Sequence, residues 1–581
     1  MTAQRTQVLI IGSGPTGLSA ALFLRRHGID VLVVSRASGV ADTPRAHITN
    51  QRTMEIMRAV GLDARCYEQA TPNALMANMA WVTSLAGEEF GRIRAWGNQP
   101  DRYAEYLMAS PSSMCDLPQH LFEPILLDEV SRQGGMVRFN NELLDFVQDA
   151  SGVTARIRDR TTGESYEVRA DYMIGADGGR SRVADRLGLP FEGEMALGTS
   201  ANVLFSADLS KYVAHRPGCL FVICQPGRDD WSGVGVIRMI RPWNQWVAQF
   251  LELAQGDQDV DLTESAAREI VWSMIGDVTI PIEIGAMNKW LINRATAQCY
   301  TEGRVFCAGD AVHRHPPNNG LGSNTCIADA YNLAWKLALV IQGKAGPSLL
   351  DTFNAERQPI GKRVVERAFK SLEENRMMMA TLGLRPRQSS ADRARAFEIL
   401  KAATPAGEDR RKAWREAVAS KHYTVNALGV ELNQTYRSAA VVPDGTPEPR
   451  FASDADLRHH VTTWPGARLP HCWLEADAKR VSIHDLCGNE RFTLLTGAGG
   501  GTWSAAAMAA AHATGVAVVV REIGFGLPIR DVYDDWSRLS EIEDSGCILV
   551  RPDMHVGWRC NRLPSDAVEQ LTAAMRSILG Y

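Results

Sequence analysis

The sequence predicts an α/β protein: a Rossmann-like dinucleotide-binding domain interrupted by a β-rich module and followed by a separate α/β domain. Three observations carry this reading. Residues 8–36, VLIIGSGPTGLSAALFLRRHGIDVLVVSR, pass from an apolar run through a glycine turn and a helical stretch to a second apolar run, the strand–helix–strand pattern of a parallel sheet. Residues 190–295 lack helical periodicity before Thr263 and carry strand-like runs at 219–224, 233–240 and 246–251. From residue 465 onward, strand and helix patterns begin afresh.

In the first unit, residues 8–11 read as a buried strand, 18–27 as a helix stopped by Gly28, and 31–34 as a second strand. Between them Gly12, Gly14 and Gly17 form a G-x-G-x-x-G turn. In that context the first glycine permits the tight turn, the second lets the backbone approach a pyrophosphate, and the third lets helix and strand pack closely. The helix N-terminus then offers free N–H groups to phosphate oxygens. One position departs from the pattern: the acidic ribose ligand expected after the second strand is Ser35, followed by Arg36. A hydroxyl can still reach a ribose oxygen.

Composition narrows the class. At 581 residues the chain has room for two to four domains, and 45% hydrophobic with 22% charged residues is ordinary for a globular protein. A net charge of −5 provides no basic surface for nucleic acid or an anionic membrane. The first strand begins close to Met1, which leaves no room for a targeting peptide, and the apolar stretch 505–520 is broken by His512, Thr514 and Gly515. Eleven cysteines without C-x-x-C spacing point to reduced thiols in the cytoplasm, and no side-chain cluster suggests a metal.

Further along, Arg45 and His47 stand in a loop opened by Pro44, and Asn50 can cap the helix that follows. Residues 117–130 form an amphipathic helix with Gln119 near its start, and 136–170 alternate like a β-meander. In DYMIGADGGRSRVADRLGL, residues 171–189, a strand gives way to a turn and a helix; Asp177 either caps that helix or faces a second phosphate-bearing group. The tryptophans 231, 243, 246, 272 and 290 suit an apolar ligand and an ordinary core equally well. Residues 303–343 give a short strand, Gly309-Asp310, a loop with Pro316 and Pro317, and a long helix from about residue 323. Asp310 is placed to accept hydrogen bonds from a sugar-alcohol chain, and the N–H groups of Gly322, Ser323 and Asn324 can stabilise negative charge. The run Gly497–Gly501 lacks the third glycine of a nucleotide turn.

With GSGPTG, GADGGRSR and GRVFCAGDAVHRHPPNNGLGSN in this order, the chain resembles the single-component flavoprotein aromatic hydroxylases of the para-hydroxybenzoate hydroxylase fold, and within them the phenol, chlorophenol and resorcinol hydroxylases. The resemblance spans residues 5–380 and implies this division: 1–190, first part of an FAD-binding domain; 191–295, a substrate-binding β-sheet domain; 296–400, the second part of the FAD-binding domain; 401–464, a linker; and 465–581, a thioredoxin-like domain without C-x-x-C. Carried over, it implies that Gly12, Gly14 and Gly17 hold the pyrophosphate, with Ser35 and Arg36 at the ribose. Arg45 lies near flavin and nicotinamide, Gln119 near the FAD diphosphate or ribityl chain, and Asp177 serves FAD and NAD(P)H. Asp310 binds the ribityl chain, Pro317 lines the substrate side of the isoalloxazine, and Gly322, Ser323 and Asn324 meet its pyrimidine edge.

The resemblance further implies FAD as cofactor, NAD(P)H (NADPH first) and O2 as co-substrates, a small aromatic substrate and a homodimer. The oxygen is transferred from a flavin C4a-hydroperoxide, which requires a dry site and an electron-rich ring. A phenolate is richer than a phenol, so a base is expected at the hydroxyl. In the phenol hydroxylases the position matching His47 is an acidic residue facing that hydroxyl, and a histidine suits the task at neutral pH; a structural role or a relay through water is the alternative. His313 and His315 are weaker candidates. Competing readings are an enzyme of this fold acting on a polyketide or decarboxylating an aromatic acid, and a flavin-binding scaffold without turnover.

Overall fold

The computed structural model of the chain describes residues 4–228, 233–251, 262–385, 388–488 and 490–581; Trp231 lies outside them. The strand Gln4–Ile11 is central to the first sheet, whose order is Thr301–Glu302, Val305–Cys307, Ser165–Gly175, Gln4–Ile11, Val31–Val34 and Met136–Arg138. All pairs from Val305–Cys307 to Met136–Arg138 are parallel. Val8–Ile11 and Val31–Val34 are buried throughout, which explains why they read as unbroken apolar runs rather than alternating ones. The strands Asn141–Asp149 and Gly152–Asp159 extend this sheet as an antiparallel meander on the N-terminal half of Ser165–Gly175. The helices Pro15–Arg26 and Gly322–Ile341 pack together, so the glycine turn and the 309–322 loop open at the same end of the sheet.

The second sheet is eight-stranded and mostly antiparallel, in the order His313–Arg314, Glu283–Ala297, Phe191–Ser206, Gln245–Leu251, Val234–Arg241, Gly218–Cys224, Asn78–Val82 and Glu89–Arg94. Two of these strands come from within residues 1–190, so the sheet is not confined to 191–295. Ala201, Val203, Phe205, Ile237, Met239, Ala248 and Phe250 form one face and pack on the helix Glu264–Ile275. Trp246 belongs to that core, its indole N–H donating to the carbonyl of Ala207. Residues in register on the other face are Leu204, Val247, Arg238 and Leu220 in one row, and Asn202, Gln249, Val236 and Val222 in the next. Trp290 donates to Asn202 Oδ1 on this second face at 3.2 Å.

Residues 401–464, expected as a linker, are packed into the core beside the second sheet. They carry the helices Pro405–Ser420, His422–Val425 and Leu428–Leu432, and Trp414, Val425, Leu428 and Leu432 are buried in the core beneath the second sheet. Their apolar positions are widely spaced among charges, which is the pattern of a helix buried along one narrow stripe.

In the C-terminal domain the strands Val518–Glu522, Phe492–Thr496, Cys547–Val550 and Val556–Cys560 form a sheet in that order. The first pair is parallel and the others antiparallel, with helices Thr502–Thr514 and Ala567–Ile578 packed together; this is the βαβ–ββα connectivity of the thioredoxin fold. The strand-to-helix turn holds Gly497–Gly501 and no cysteine, and all eleven cysteines of the chain are unpaired. A fully buried ionic cluster seats the domain: Glu356 accepts from Arg551 at 2.6 and 2.8 Å, from Lys336 at 2.6 Å and from Asn332 at 2.7 Å. Among the described residues no helix is long and apolar enough to cross a membrane.

Candidate active site

The glycine turn is built as tightly as its sequence requires. Gly12 has φ +108°, and a Cβ there would lie 2.2 Å from the carbonyl oxygen of Ala176; a Cβ on Gly17 would lie 2.0 Å from that of Gly12. Gly14 differs. Its backbone is in the extended region, and the nearest atom to an added Cβ is Glu123 Oε1 at 4.0 Å. It precedes the helix Pro15–Arg26, which has no side-chain cap, so its first N–H groups point into the space that Gly14 leaves free. Gln119 donates to Glu123 Oε1 at 2.6 Å, and Arg45, exposed on its loop, counters the rise in the Glu123 pKa that burial causes. Gln119 and the Arg45 charge thus meet at Glu123 beside the turn, where the free helix N–H groups are the donors that fit a diphosphate.

Ser35 is buried, accepting from Ser13 Oγ at 2.8 Å and from the N–H of Ala37 at 3.3 Å, while Arg36 is exposed. Asp177 takes the capping role: its carboxylate accepts from Ser181 Oγ at 2.5 Å and from the N–H groups of Arg182 and Val183 at 2.8 and 3.3 Å. Its Cα would lie 3.0 Å from a Cβ on Gly12, so this turn and the glycine turn are in contact. Burial raises the Asp177 pKa above its usual value.

The 309–322 loop supplies the other wall. Asp310 and Pro317 are exposed, and Asp329 anchors the loop by accepting from the Gly309 N–H at 3.0 Å, from His313 Nε2 at 2.8 Å and from Arg357 at 2.7 Å. His313 is therefore committed to structure, and His315 Nδ1 donates to its neighbour's carbonyl, Pro316 O, at 2.7 Å. The helix Gly322–Ile341 also opens without a side-chain cap, leaving the N–H groups of Gly322, Ser323 and Asn324 directed at the loop. The Asn324 side chain is wholly engaged: it accepts from the Asn50 N–H at 3.0 Å and Thr53 Oγ1 at 2.7 Å and donates to Ile48 O at 2.9 Å. Only its backbone is free for a ligand.

That bond to Ile48 leads to His47. Gly320, at φ +65°, leaves no room for a Cβ, which would lie 2.7 Å from Ile48 Cβ, so the proline loop packs against the residue that follows the histidine. His47 Nδ1 lies 2.9 Å from Asp116 Oδ2; the histidine side chain is 11% exposed and the aspartate wholly buried. Ile48–Thr49 and Cys115–Asp116 pair as short antiparallel strands, and the Leu117 N–H donates to His47 O at 2.8 Å. Arg238, from the second face of the large sheet, donates to Arg45 O at 3.0 Å and to Pro44 O. Burial foremost, then the Arg238 charge, lowers the His47 pKa below its usual 6.5, with Asp116 opposing. Burial brings Arg238 down to about 10, still cationic at neutral pH.

Gly12, Gly14 and Gly17 share one turn with Asp177 against Gly12 and Gln119 reaching it through Glu123, Gly309 of the 309–322 loop packs on Thr16 of that turn, and Arg45 and His47 share the loop that Arg238 holds. Asp116 and Arg238 escape a reading of the sequence because their partners are distant in the chain; an aspartate inside the apolar run Met114-Cys115-Asp116-Leu117 was the available signal. Among the described residues no group of His, Cys, Asp and Glu could hold a metal.

Residues 5–368 match the FAD binding domain family, and 462–581 match the aromatic-ring hydroxylase C-terminal family. The chain is 50% identical over 580 residues to 2,4-dichlorophenol 6-monooxygenase of Cupriavidus pinatubonensis, covering 99% of this chain and 96% of that one. It is 42% identical over 565 residues to phenol 2-monooxygenase of a Pseudomonas species, covering 97% and 91%. The crystal structure of the flavin-dependent monooxygenase PieE in complex with FAD and substrate superposes with a TM-score of 0.95 at 46% identity over 99% of each chain. With both family models matched and these relatives aligned over nearly its whole length, the chain belongs to the FAD-dependent aromatic-ring hydroxylases.

Proposed function

We propose that this chain is an FAD-dependent monooxygenase that hydroxylates a small phenolic substrate with NAD(P)H and O2. Gly12, Gly14 and Gly17 receive the FAD pyrophosphate, Asp310 the ribityl chain, and the N–H groups of Gly322, Ser323 and Asn324 the flavin's pyrimidine edge. FAD, once reduced, supplies the activated oxygen atom. Leu204, Val247, Leu220 and Val236 on the second face of the large sheet keep water from the reacting atoms. Arg238 holds the loop that carries Arg45 and His47, and Pro317 bounds the substrate on the opposite side.

His47 takes the phenolic proton at Nε2, the ring nitrogen not directed at Asp116. Its lowered pKa keeps it neutral, and so able to accept, at pH 7. The single observation that carries this reading is that Ile48, the residue after that histidine, packs on Gly320 of the proline loop. Its relatives named for dichlorophenol and phenol support the substrate class. Unpaired thiols throughout the chain support a cytoplasmic setting, and a homodimer is our assembly of choice. A panel of phenols, chlorophenols and resorcinols, scored for stimulated NAD(P)H oxidation and for hydroxylated product, tests the reading; oxidation that yields only H2O2 with every phenol would refute it.

A further inference from the structure

We infer that Asp116 is the positioning residue of the proton-accepting histidine: its buried carboxylate fixes His47 with the proton on Nδ1 and the lone pair on Nε2, and stabilises the imidazolium formed when the phenol ionises. The inference rests on the reading of His47 as base. In the step, the phenol O–H bond breaks, its electron pair stays on the phenolate oxygen and an Nε2–H bond forms. Asp116 acts through its hydrogen bond and is not itself the proton acceptor.

Three features point this way. First, the 2.9 Å contact joins backbone segments held in register, because Ile48 pairs with Asp116 and Leu117 donates to His47 O. Second, Asp116 is not explained as a stabiliser. Its other oxygen, Oδ1, is buried without a partner, and a buried carboxylate with a single hydrogen bond costs stability rather than adding it. Arg238, the nearby cation, donates instead to the Pro44 and Arg45 carbonyls. Third, the charges are balanced around a neutral ring. Asp116 and Arg238 face His47 with opposite effect, the Cys219 thiol stands behind Asp116 with its Sγ held by Trp96 at 3.2 Å, and His120 lies towards Arg238 and Arg241. Asp116 and Arg238 offset one another around a neutral His47, and the proton from the phenol adds one positive charge beside the new phenolate.

The test reads the ionisation of a bound phenol directly. 4-Nitrophenol, whose anion is yellow, is titrated on the oxidised holoenzyme by difference absorbance for the wild type and for H47Q, D116N and D116E. The wild type is expected to ionise the bound phenol below its pH in free solution. D116N should raise that apparent pKa by about one unit, a tenfold loss of phenolate at fixed pH, with D116E in between and H47Q shifted at least as far as D116N. A merely structural Asp116 would change FAD content or thermal stability without moving this pKa. A shift in H47Q with D116N within about 0.3 unit of wild type overturns the role of Asp116 alone. No shift in H47Q overturns the histidine reading and this inference with it. Should D116N not retain FAD, D116E decides on the same readout, and an unchanged value there overturns the inference.

Discussion

Alanine at Gly14 separates cofactor binding from folding. The added methyl meets no protein atom closer than 4.0 Å, and the backbone, at φ −75° and ψ −174°, is one that alanine adopts freely. Stability of the apoprotein should therefore change by less than about 0.5 kcal/mol. FAD should bind far more weakly, because the methyl occupies the approach of the pyrophosphate to the open N-terminus of the helix Pro15–Arg26. Displacing one charge-assisted N–H···phosphate bond costs about 1.5–3 kcal/mol, or roughly 10- to 150-fold in Kd. Gly17→Ala makes the contrast: its methyl would sit 2.0 Å from the Gly12 carbonyl oxygen, so it should destabilise the apoprotein as well. The assay strips FAD, titrates it back by flavin fluorescence quenching, and follows thermal unfolding of each apoprotein. An FAD affinity within about twofold of wild type in a normally stable G14A protein would refute the placement of the phosphates at this turn.

Other expectations concern the base and two buried acids. His47→Gln should lower turnover of weakly acidic phenols by about 10²–10⁴-fold and of strongly acidic ones much less; an equal loss across phenols of different acidity, in steady-state product assays, would argue against a base. Because the His47 pKa lies below 6.5, wild-type kcat/KM should be flat across neutral pH and fall only on the acid side of that value. Glu431 is buried with Oε2 unpartnered, and burial pushes its pKa up to about 8. The folded state thus retains a proton that the unfolded chain loses near pH 4.5, so stability falls as pH rises through this window. Glu431→Gln should therefore stabilise by about 3 kcal/mol at pH 7 and by little at pH 4, read as a pH-dependent difference in unfolding midpoint. Glu356→Gln should cost about 3–5 kcal/mol by leaving Arg551 and Lys336 with too little countercharge. The Arg551 and Lys336 charges hold the Glu356 pKa well below 4.5 despite burial, so that difference should be complete above pH 4.5 and shrink as pH falls below it. Denaturant unfolding at several pH values checks both size and sign.

What the sequence revealed follows from how local each signal is. The glycine turn and its flanking strands lie within thirty consecutive residues, and every constraint on Gly12 and Gly17 comes from neighbours in that unit or from the equally legible 175–179 turn. The tail is likewise readable from strand and helix order as a separate α/β domain, and as thioredoxin-like only through the family resemblance. His47 could be singled out, but not what governs it. Asp116 lies 69 residues away and Arg238 sits on a strand of a different sheet, so no spacing links the three. The strands Asn78–Val82 and Glu89–Arg94 join a sheet formed mainly by residues 191–297, a pairing that alternation alone cannot assign. Residues 401–464 look like a linker because their helices bury only a few apolar positions, such as Trp414 and Leu428. Asn324 shows the reverse: its place beside the flavin loop was legible, but its side chain is tied to Asn50, Thr53 and Ile48 by contacts from the opposite end of the chain.

The most direct measurement is the stoichiometry of one turnover. FAD-loaded protein, the phenol that most stimulates NAD(P)H oxidation and limiting NAD(P)H under O2 should give about one hydroxylated product for each NAD(P)H oxidised, with little H2O2. A flavin that takes electrons and passes them only to H2O2, with the phenol recovered unchanged, would contradict a dry pocket that joins the activated oxygen to an ionised ring.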